Sequence, residues 1–182
     1  MALNGTEWGG FEDRLVVRAA SGDVEAFEQL YTTHYQKVFT ISRGILLNYQ
    51  DTEDAVQEIF ALAFRKLSQF DRRASFKTWI YRIAVNHSIQ KARSLRRRHS
   101  DVPLEFAESI PAHQEVPTSD PLVMATLDQM KPDDRAILAL FYWDELSIDE
   151  ISRTLNCRTN AVKTRLYRAR ERFRALYEEA LS

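Results

Sequence analysis

Cysteine, glycine and proline are scarce in this sequence, and no long apolar run occurs in it. One cysteine, Cys157, excludes an internal disulfide, and one cysteine with four histidines is a poor basis for a structural zinc site. Five glycines and five prolines argue against an all-β fold of many turns. No apolar stretch approaches the roughly 20 residues that cross a bilayer, and the first ten residues lack a signal-peptide pattern. We therefore expect a cytoplasmic helical protein with no membrane insertion, no metal and no cofactor.

The charges are segregated along the chain although they nearly cancel, with 25 Lys and Arg against 26 Asp and Glu. Residues 72–100 contain nine basic residues and no acid, and residues 158–174 contain seven basic residues and one acid. Residues 101–150 contain twelve acids and two basic residues. Two basic blocks in a nearly neutral chain indicate two surfaces that bind polyanions. The alternative interpretation is that each block is only a solvated helix face.

Helical periodicity covers the first hundred residues. The apolar spacing predicts four helices there: 11–20, a second capped by Asp23, a third capped by Asp51 or Thr52 and ending at Leu67, and 76–98. Residues 68–75 read as a polar loop. Trp79 lies beside apolar positions of the fourth helix, which favours a core role over a stacking platform for bases.

The C-terminal part is also helical. Asp120 and Pro121 begin one helix, and Pro132 begins another that runs to about Tyr142. Ser147 and Glu150 form a capping box that opens a short helix ending near Leu155. A last helix begins at Thr159 or Asn160 and runs to about residue 180.

An acidic segment separates the two helical parts. Residues 100–121 hold four of the five prolines and five acids, and they hold no basic residue. Proline at this density disfavours both helix and sheet, so residues 100–120 are predicted to be a linker. The fold class is therefore all-α, with two small helical domains over 11–99 and 121–182. A fully extended linker spans roughly 75 Å, so the two domains could contact separate sites on one DNA duplex.

Residues 147–174 have the pattern of a helix-turn-helix, in which the second helix enters the major groove of DNA. A short capped helix, a turn of about four residues and a long basic helix follow one another. Arginine and lysine pair with guanine edges or phosphates, and threonine contacts either base or backbone. The outer face of the second helix offers these candidates for DNA contact: Lys163, Thr164, Tyr167, Arg168, Arg170 and Arg174. The alternative is an ordinary helical hairpin with a charged face.

Three segments resemble the extracytoplasmic-function (ECF) sigma factors, the smallest group of the sigma-70 family. Asp51–Phe60 is similar to region 2.2 of that family, Phe76–Asn86 to regions 2.3 and 2.4, and Ala136–Phe173 to region 4. Their order and spacing, over about residues 15–177, identify the chain as a member. The resemblance implies a region 2 helical bundle and a region 4 helix-turn-helix. It also implies a non-enzymatic factor that directs RNA polymerase to promoters.

The resemblance also assigns partners and sites. It implies that Asp54, Gln57 and Glu58 bind the β′ coiled coil of core RNA polymerase, while the C-terminal domain meets the β flap. Without the resemblance, Asp54 and Glu58 would read as surface acids near a helix N-terminus. The −10 promoter element would be held by the loop and helix after residue 69, at these positions: Phe70, Asp71, Arg72, Arg73, Ala74, Lys77, Asn86, Arg93, Arg96 and Arg97.

The remaining expectations concern the −35 element and regulation. The exposed face of the last helix would read promoter DNA at the −35 element. Most members of the family are held inactive by an anti-sigma factor, which implies such a partner here. The competing hypothesis is a stand-alone helix-turn-helix regulator, which binds duplex DNA and has no use for the Asp51–Phe60 motif.

Overall fold

The structure, a computed structural model, describes the backbone of residues 5–100 and 120–182 and the side chains of residues 10–98 and 120–182. The predicted linker lies almost entirely outside the described residues. The α-helices follow one another as α1 (Gly5–Ala20), α2 (Val24–Leu46), α3 (Tyr49–Lys66), α4 (Phe76–Ser100), α5 (Pro121–Gln129), α6 (Pro132–Leu138), α7 (Ile148–Thr154) and α8 (Thr159–Leu181). A 3-10 turn, Leu67–Gln69, follows α3, and a π-helical segment, Ala139–Trp143, follows α6. The described residues contain no strand, so the all-α prediction is confirmed.

Side-chain caps begin several helices where the sequence predicts them. The Asp23 carboxylate accepts a hydrogen bond of 3.0 Å from the Ala26 amide, which caps α2. Asp120 accepts from the Leu122 amide at 2.8 Å, and Pro121 occupies the first turn of α5. At α7, both bonds of the capping box between Ser147 and Glu150 are present.

Three element boundaries differ from the sequence prediction. Helix α3 begins earlier than Asp51 or Thr52, because the Asn48 side chain accepts from the Asp51 amide at 2.9 Å and is the cap. Helix α1 begins at Gly5 rather than at residue 11. The helix after Pro132 changes from α to π geometry at Ala139, where the pattern predicts one continuous helix.

The N-terminal domain, α1 to α4, is built around α2. Apolar side chains of α2, α3 and α4 fill its interior, among them Leu30, Ile59, Phe76 and Ile80, each at most 1% exposed. Burial of such side chains contributes about 1.5–3 kcal/mol each. His34 on α2 lies 2.7 Å from the Glu12 carboxylate, which ties α1 to the bundle. In this domain α3 and α4 pack side by side.

The C-terminal domain, α5 to α8, packs three short helices against α8, and the π-helical segment lies against α6 and α7. Its buried side chains include Met130, Ile137, Leu140 and Ile151. In the described part of the chain, no helix has the length and apolar character needed to cross a membrane. The same residues contain no cluster of three or more His, Cys, Asp or Glu side chains arranged to hold a metal ion.

Candidate nucleic-acid interface

Helices α7 and α8 form a helix-turn-helix. The Ser147 amide donates to Glu150 Oε2 at 3.0 Å, and the Glu150 amide donates to Ser147 Oγ at 3.2 Å. These bonds fix the start of α7, and a turn through Asn156, with φ of 50°, leads into α8. Asparagine tolerates this left-handed conformation better than most residues. The buried positions Ile151, Val162 and Leu166 then lock the two helices together.

The opposite face of α8 is open to solvent over its first three turns. Lys163, Thr164, Tyr167 and Arg168 are all exposed, Tyr167 by 64%. The Thr164 hydroxyl donates to the Asn160 carbonyl at 3.0 Å, so its orientation is set by the helix itself. Arg165, which is absent from the sequence-based candidates, is also exposed here. Its position off the buried stripe of α8 was the signal that could have included it.

Two of the predicted DNA contacts further along α8 are engaged inside the domain. The Arg170 guanidinium lies 4.9 Å from the Phe141 ring centroid and 5.3 Å from that of Tyr142. Such cation–π contacts hold the side chain against the π-helical segment. Arg174 pairs with Glu171 at 3.0 Å. The cationic surface best placed for DNA is therefore the first half of α8.

The loop before α4 combines an aromatic anchor with exposed arginines. The Phe70 ring packs 5.0 Å from the Trp79 ring, which is itself half-buried against the core. Asp71 accepts from the Arg73 amide at 3.1 Å, and Arg72 has a φ of 56°. These contacts shape the loop while leaving the arginine side chains exposed, and Ala74 next to them is half-buried.

Helix α4 carries its predicted polar residues on more than one face. Asn86 is exposed, as are Arg93, Arg96 and Arg97 near its C-terminal end. Lys77, in the first turn, is half-buried. Trp79 packs against Phe70 and Phe76, so it does not present an open ring face as a stacking platform would.

The predicted polymerase-docking residues lie on the exposed face of α3. Asp54, Gln57 and Glu58 are exposed, opposite the buried Val56 and Ile59. A polar groove of about 500 Å³ runs between α3 and α4 and is lined in part by Asp51, Asp54, Glu58, Gln90 and Lys91.

Glu58 is already engaged within this groove. Its carboxylate accepts from Lys91 Nζ at 2.9 Å and lies 2.7 Å from His87 Nε2. The hydrogen bond from Lys91, and then that from His87, lower the pKa of Glu58 below its usual range, although partial burial acts the other way. Asp54 and Gln57 are therefore the more accessible members of the docking set.

Comparison with known proteins decides the family. The chain matches sigma-70 region 2 over residues 30–98 and sigma-70 region 4 over residues 122–173. It is 33% identical to the ECF RNA polymerase sigma-E factor of Escherichia coli (strain K12), over 86% of this chain and 89% of that protein. This chain belongs to the ECF sigma factors of the sigma-70 family. It is also 31% identical to the RNA polymerase sigma-H factor of Pseudomonas aeruginosa, over 88% of this chain and 90% of that protein.

A solved structure supports the same architecture. The structure of CnrH in complex with the cytosolic domain of CnrY matches with a TM-score of 0.67 and 25% identity. The match covers 93% of this sigma factor and 98% of that chain. The two-domain, all-helical fold is thus shared across most of the chain.

In this sigma factor the two domains contact each other through α2 and α4 on one side and α6, the π-helical segment and α7 on the other. Lys77 on α4 donates to Glu150 at 2.9 Å, and Arg93 donates to Asp133 at 2.7 Å. Arg82 donates to the carbonyls of Arg153 at 2.6 Å and Thr154 at 3.2 Å. The expectation of two domains separated by an extended linker did not foresee this packing.

The electrostatics of the domain contact are uneven. The Lys77 ammonium, and then the Ser147 amide, lower the pKa of Glu150 to about 2. Burial raises the pKa of Asp144 to about 6, although Lys37 lies 3.4 Å from its carboxylate and acts in the opposite direction. The Asp144 side chain has no exposed surface. The contact therefore contains ion pairs that are partly exposed to solvent, Lys77–Glu150 and Arg93–Asp133, and one buried carboxylate that is costly to keep charged.

Proposed function

We propose that this sigma factor binds core RNA polymerase and directs it to promoters, where α8 reads the −35 element and α4 with its preceding loop reads the −10 element. A region 2 domain over 11–99 would read the −10 element, and a region 4 domain over 121–182 would read the −35 element. The linker 100–120 would join the two domains. The factor acts in the cytoplasm and supplies binding and positioning, with the polymerase performing the chemistry. One observation carries the proposal: a helix-turn-helix with an open cationic face occurs in the same chain as a region 2 bundle.

Core polymerase is proposed to dock on α3 through Asp54, Gln57 and Glu58, which would meet the β′ coiled coil. The α3–α4 groove supports this, because it offers carboxylates beside cations in a concave surface. Polar groups arranged in this way give an interface its register and partner choice. The C-terminal domain would meet the β flap.

The −35 element is proposed to lie against the first half of α8, with Arg168 reading a base. Arg168→Ala should weaken binding to a duplex carrying the −35 element by about 1–3 kcal/mol, because a bidentate arginine–guanine contact discriminates by that amount. Equilibrium binding to matched and scrambled duplexes measures the effect. An equal loss on both duplexes would reassign Arg168 to the phosphate backbone.

The −10 element is proposed to lie along the loop 70–75 and α4, with Asn86 contacting a base of the melted strand. Asn86→Ala should relax the −10 sequence preference, because an amide bonds a base edge as both donor and acceptor. Transcription from promoters varied at each −10 position measures the preference. Gln29→Ala, an exposed amide on α2 outside both the proposed −10 surface and the α3–α4 groove, is the matched control. If Asn86→Ala keeps the −10 sequence preference of the wild type, Asn86 is a surface amide with no role in reading the −10 element.

An anti-sigma factor is proposed as the inhibitory partner. The CnrH structure that this chain matches contains the cytosolic domain of CnrY, so a protein of this fold forms a complex with a second chain. An anti-sigma factor would cover surfaces of α3, α4 and the C-terminal domain that polymerase needs.

The proposed function is tested by transcription from a library of randomised promoters, with core polymerase and this chain as its specificity factor. The selected promoters should carry two constant blocks at a fixed spacing, one near −35 and one near −10. A single constant block, or none, would contradict the proposal that α8 reads the −35 element and α4 reads the −10 element. Duplex binding by the chain alone, with no transcription, would instead support a stand-alone regulator.

A further inference from the structure

A buried histidine joins three helices of the N-terminal domain. His34 on α2 is 6% exposed, and its Nε2 lies 2.7 Å from Oε1 of Glu12 on α1. The centroid of its imidazole ring is 5.2 Å from that of Phe76 and 6.3 Å from that of Tyr81, both on α4. A buried polar ring is costly unless it is hydrogen-bonded. The Glu12 carboxylate therefore stabilises the His34 ring in its place against α4.

The direction of this hydrogen bond follows from the chemistry of the two groups. An ionised carboxylate only accepts hydrogen bonds, so Nε2 of His34 donates to Glu12. The carbonyl oxygen of a glutamine side chain can accept the same bond without the charge. Glu12→Gln should therefore keep the bond, and Glu12→Ala should lose it.

Phe76 connects His34 to the loop 70–75. It is the first residue of α4, and its side chain is 1% exposed. Its ring makes a T-shaped contact with Phe70 at 6.3 Å and lies 5.7 Å from the Trp79 ring. The rings of Phe70 and Trp79 are 5.0 Å apart. These three rings, Phe70, Phe76 and Trp79, form a loop cluster that joins the first residue of the loop to the residue directly after it.

Helix α1 also contacts the chain just before the loop. It packs against the 3-10 turn Leu67–Gln69, and the Phe70 amide donates to the Leu67 carbonyl at 3.1 Å. Three apolar side chains of α1 are buried in the domain, namely Leu15, Val16 and Ala19. Because burial of these side chains holds α1 in place, the loss of Glu12 alone should leave the helix docked.

The loop needs support from its two ends. Arg72 has a φ of 56°, a left-handed conformation that a residue with a side chain adopts at a cost. The side chains of Arg72 and Arg73 are exposed, so they are not held by packing. The conformation of the loop therefore depends on how Phe70 and Phe76 are held.

The two members of the hydrogen-bonded pair differ in their relation to sigma-70 region 2. The match to region 2 covers residues 30–98, which include His34 and the loop cluster but not Glu12. Helix α1 thus supports the loop from outside the matched segment.

We propose that Glu12 and His34 are positioning residues for the −10 element, and that they hold the loop 70–75 in shape through the loop cluster. The inference rests on the proposed role of that loop in binding the −10 strand. His34 is buried and acts from beneath the loop, so it does not touch DNA. Loss of its bond to Glu12 frees the imidazole, loosens Phe76 and Phe70, and leaves the loop arginines without a fixed position.

The positioning step is tested without DNA, by fluorine NMR of the full chain labelled with fluorotryptophan. The sequence has three tryptophans, and Trp79→Phe identifies the resonance of Trp79. Glu12→Ala should shift or broaden that resonance, and Glu12→Gln should restore the wild-type signal. Asp13→Ala, which removes the exposed carboxylate next to Glu12, is the matched control and should leave the resonance unchanged. Circular dichroism checks that each variant is folded.

The consequence is tested by the affinity of the same proteins for a fluorescent oligo(dT) of about 20 nucleotides, a strand with stackable bases and phosphates. Glu12→Ala should weaken binding roughly tenfold, because apparent affinity scales with the fraction of chains in the competent conformation. Glu12→Gln and Asp13→Ala should bind like wild type. If Glu12 acts through the loop cluster, Glu12→Ala should weaken binding less than about threefold in a Phe70→Ala background.

The outcomes separate this inference from the proposed function. An unchanged Trp79 resonance in Glu12→Ala, or no restoration in Glu12→Gln, would overturn the positioning role and leave the −10 role of the loop standing. Wild-type oligo(dT) affinity in Glu12→Ala, or an undiminished loss in the Phe70→Ala background, would overturn it as well. Unchanged affinity in Phe70→Ala itself would instead contradict the proposed function, because the loop would then have no part in binding the strand.

Discussion

Replacing Asp54 by lysine and Gln57 by alanine together is expected to lower the affinity for core RNA polymerase by about 100-fold. Central contacts of an interface contribute about 2 kcal/mol or more when truncated, and the lysine adds repulsion wherever the partner surface is basic. Both side chains are exposed on α3, opposite its buried stripe, so the domain should fold normally. Glu58 is left unchanged because its bonds to Lys91 and His87 hold α3 against α4.

The matched control for this variant is Glu28→Lys with Gln29→Ala. These two residues are exposed on α2 and lie outside the proposed docking face. The control variant changes the net charge by the same amount as the α3 variant. Titration of labelled protein with core polymerase measures both affinities. Equal losses in the two variants would show a general charge effect, and full affinity in the α3 variant would remove the docking role from Asp54 and Gln57.

Asp144→Asn is expected to stabilise the contact between the two domains by up to about 3 kcal/mol at neutral pH, or roughly 100-fold in the equilibrium between packed and separated domains. The pKa of Asp144 is about 6 where the domains are packed together and would return toward 3.8 on exposure, and each pKa unit corresponds to about 1.36 kcal/mol. A neutral amide avoids the cost of burying the charge. The variant should therefore show a smaller radius of gyration and weaker transcription at limiting polymerase.

The same carboxylate makes the contact between the two domains of the wild-type protein sensitive to pH. A raised pKa means that the packed domains bind a proton that the separated domains do not, so packing gains free energy as pH falls from about 6 toward 3.8. As pH falls from about 7.5 to about 5, the ratio of packed to separated domains should rise about tenfold. The charged and titratable groups that face Asp144 are Lys37 on α2 and Lys77 and Tyr81 on α4.

Glu150 acts in the opposite direction but at lower pH. Its pKa of about 2 lies below the ordinary value of 4.5, so its ion pair with Lys77 stabilises the contact between the domains fully above about pH 4.5, and this stabilisation is lost as pH falls further. Small-angle scattering across this range measures the combined effect. A radius of gyration that changes equally in wild type and Asp144→Asn would show that another group is responsible.

Local elements were predictable because they depend on short-range chemistry. Asp23, Pro121 and the Ser147–Glu150 box each satisfy amides within a few residues, so their patterns can be read directly from the sequence. The predicted start of α3 was wrong. Asn48 and Asp51 are both good N-cap residues, and the sequence alone does not show which of them caps the helix.

The packing of the two domains was not predictable in the same way. It depends on the missing side chain at Gly44 and on Trp143, which are about 100 positions apart in the sequence. Asp144 and Arg43 resemble surface residues by type, although both are buried in the structure. The basic residues of α4 were predicted to form an open surface. No local sequence pattern indicates that carboxylates of the C-terminal domain bind Lys77 and Arg93.

The central claim is that this chain is the promoter-specificity subunit of RNA polymerase. The most direct test mixes the purified chain with core RNA polymerase free of any sigma factor, then follows co-elution and maps transcript start sites on a library of genomic promoters. The account predicts co-elution and discrete start sites that disappear when the chain is omitted. No association with core polymerase, together with sequence-specific duplex binding by the chain alone, would contradict it.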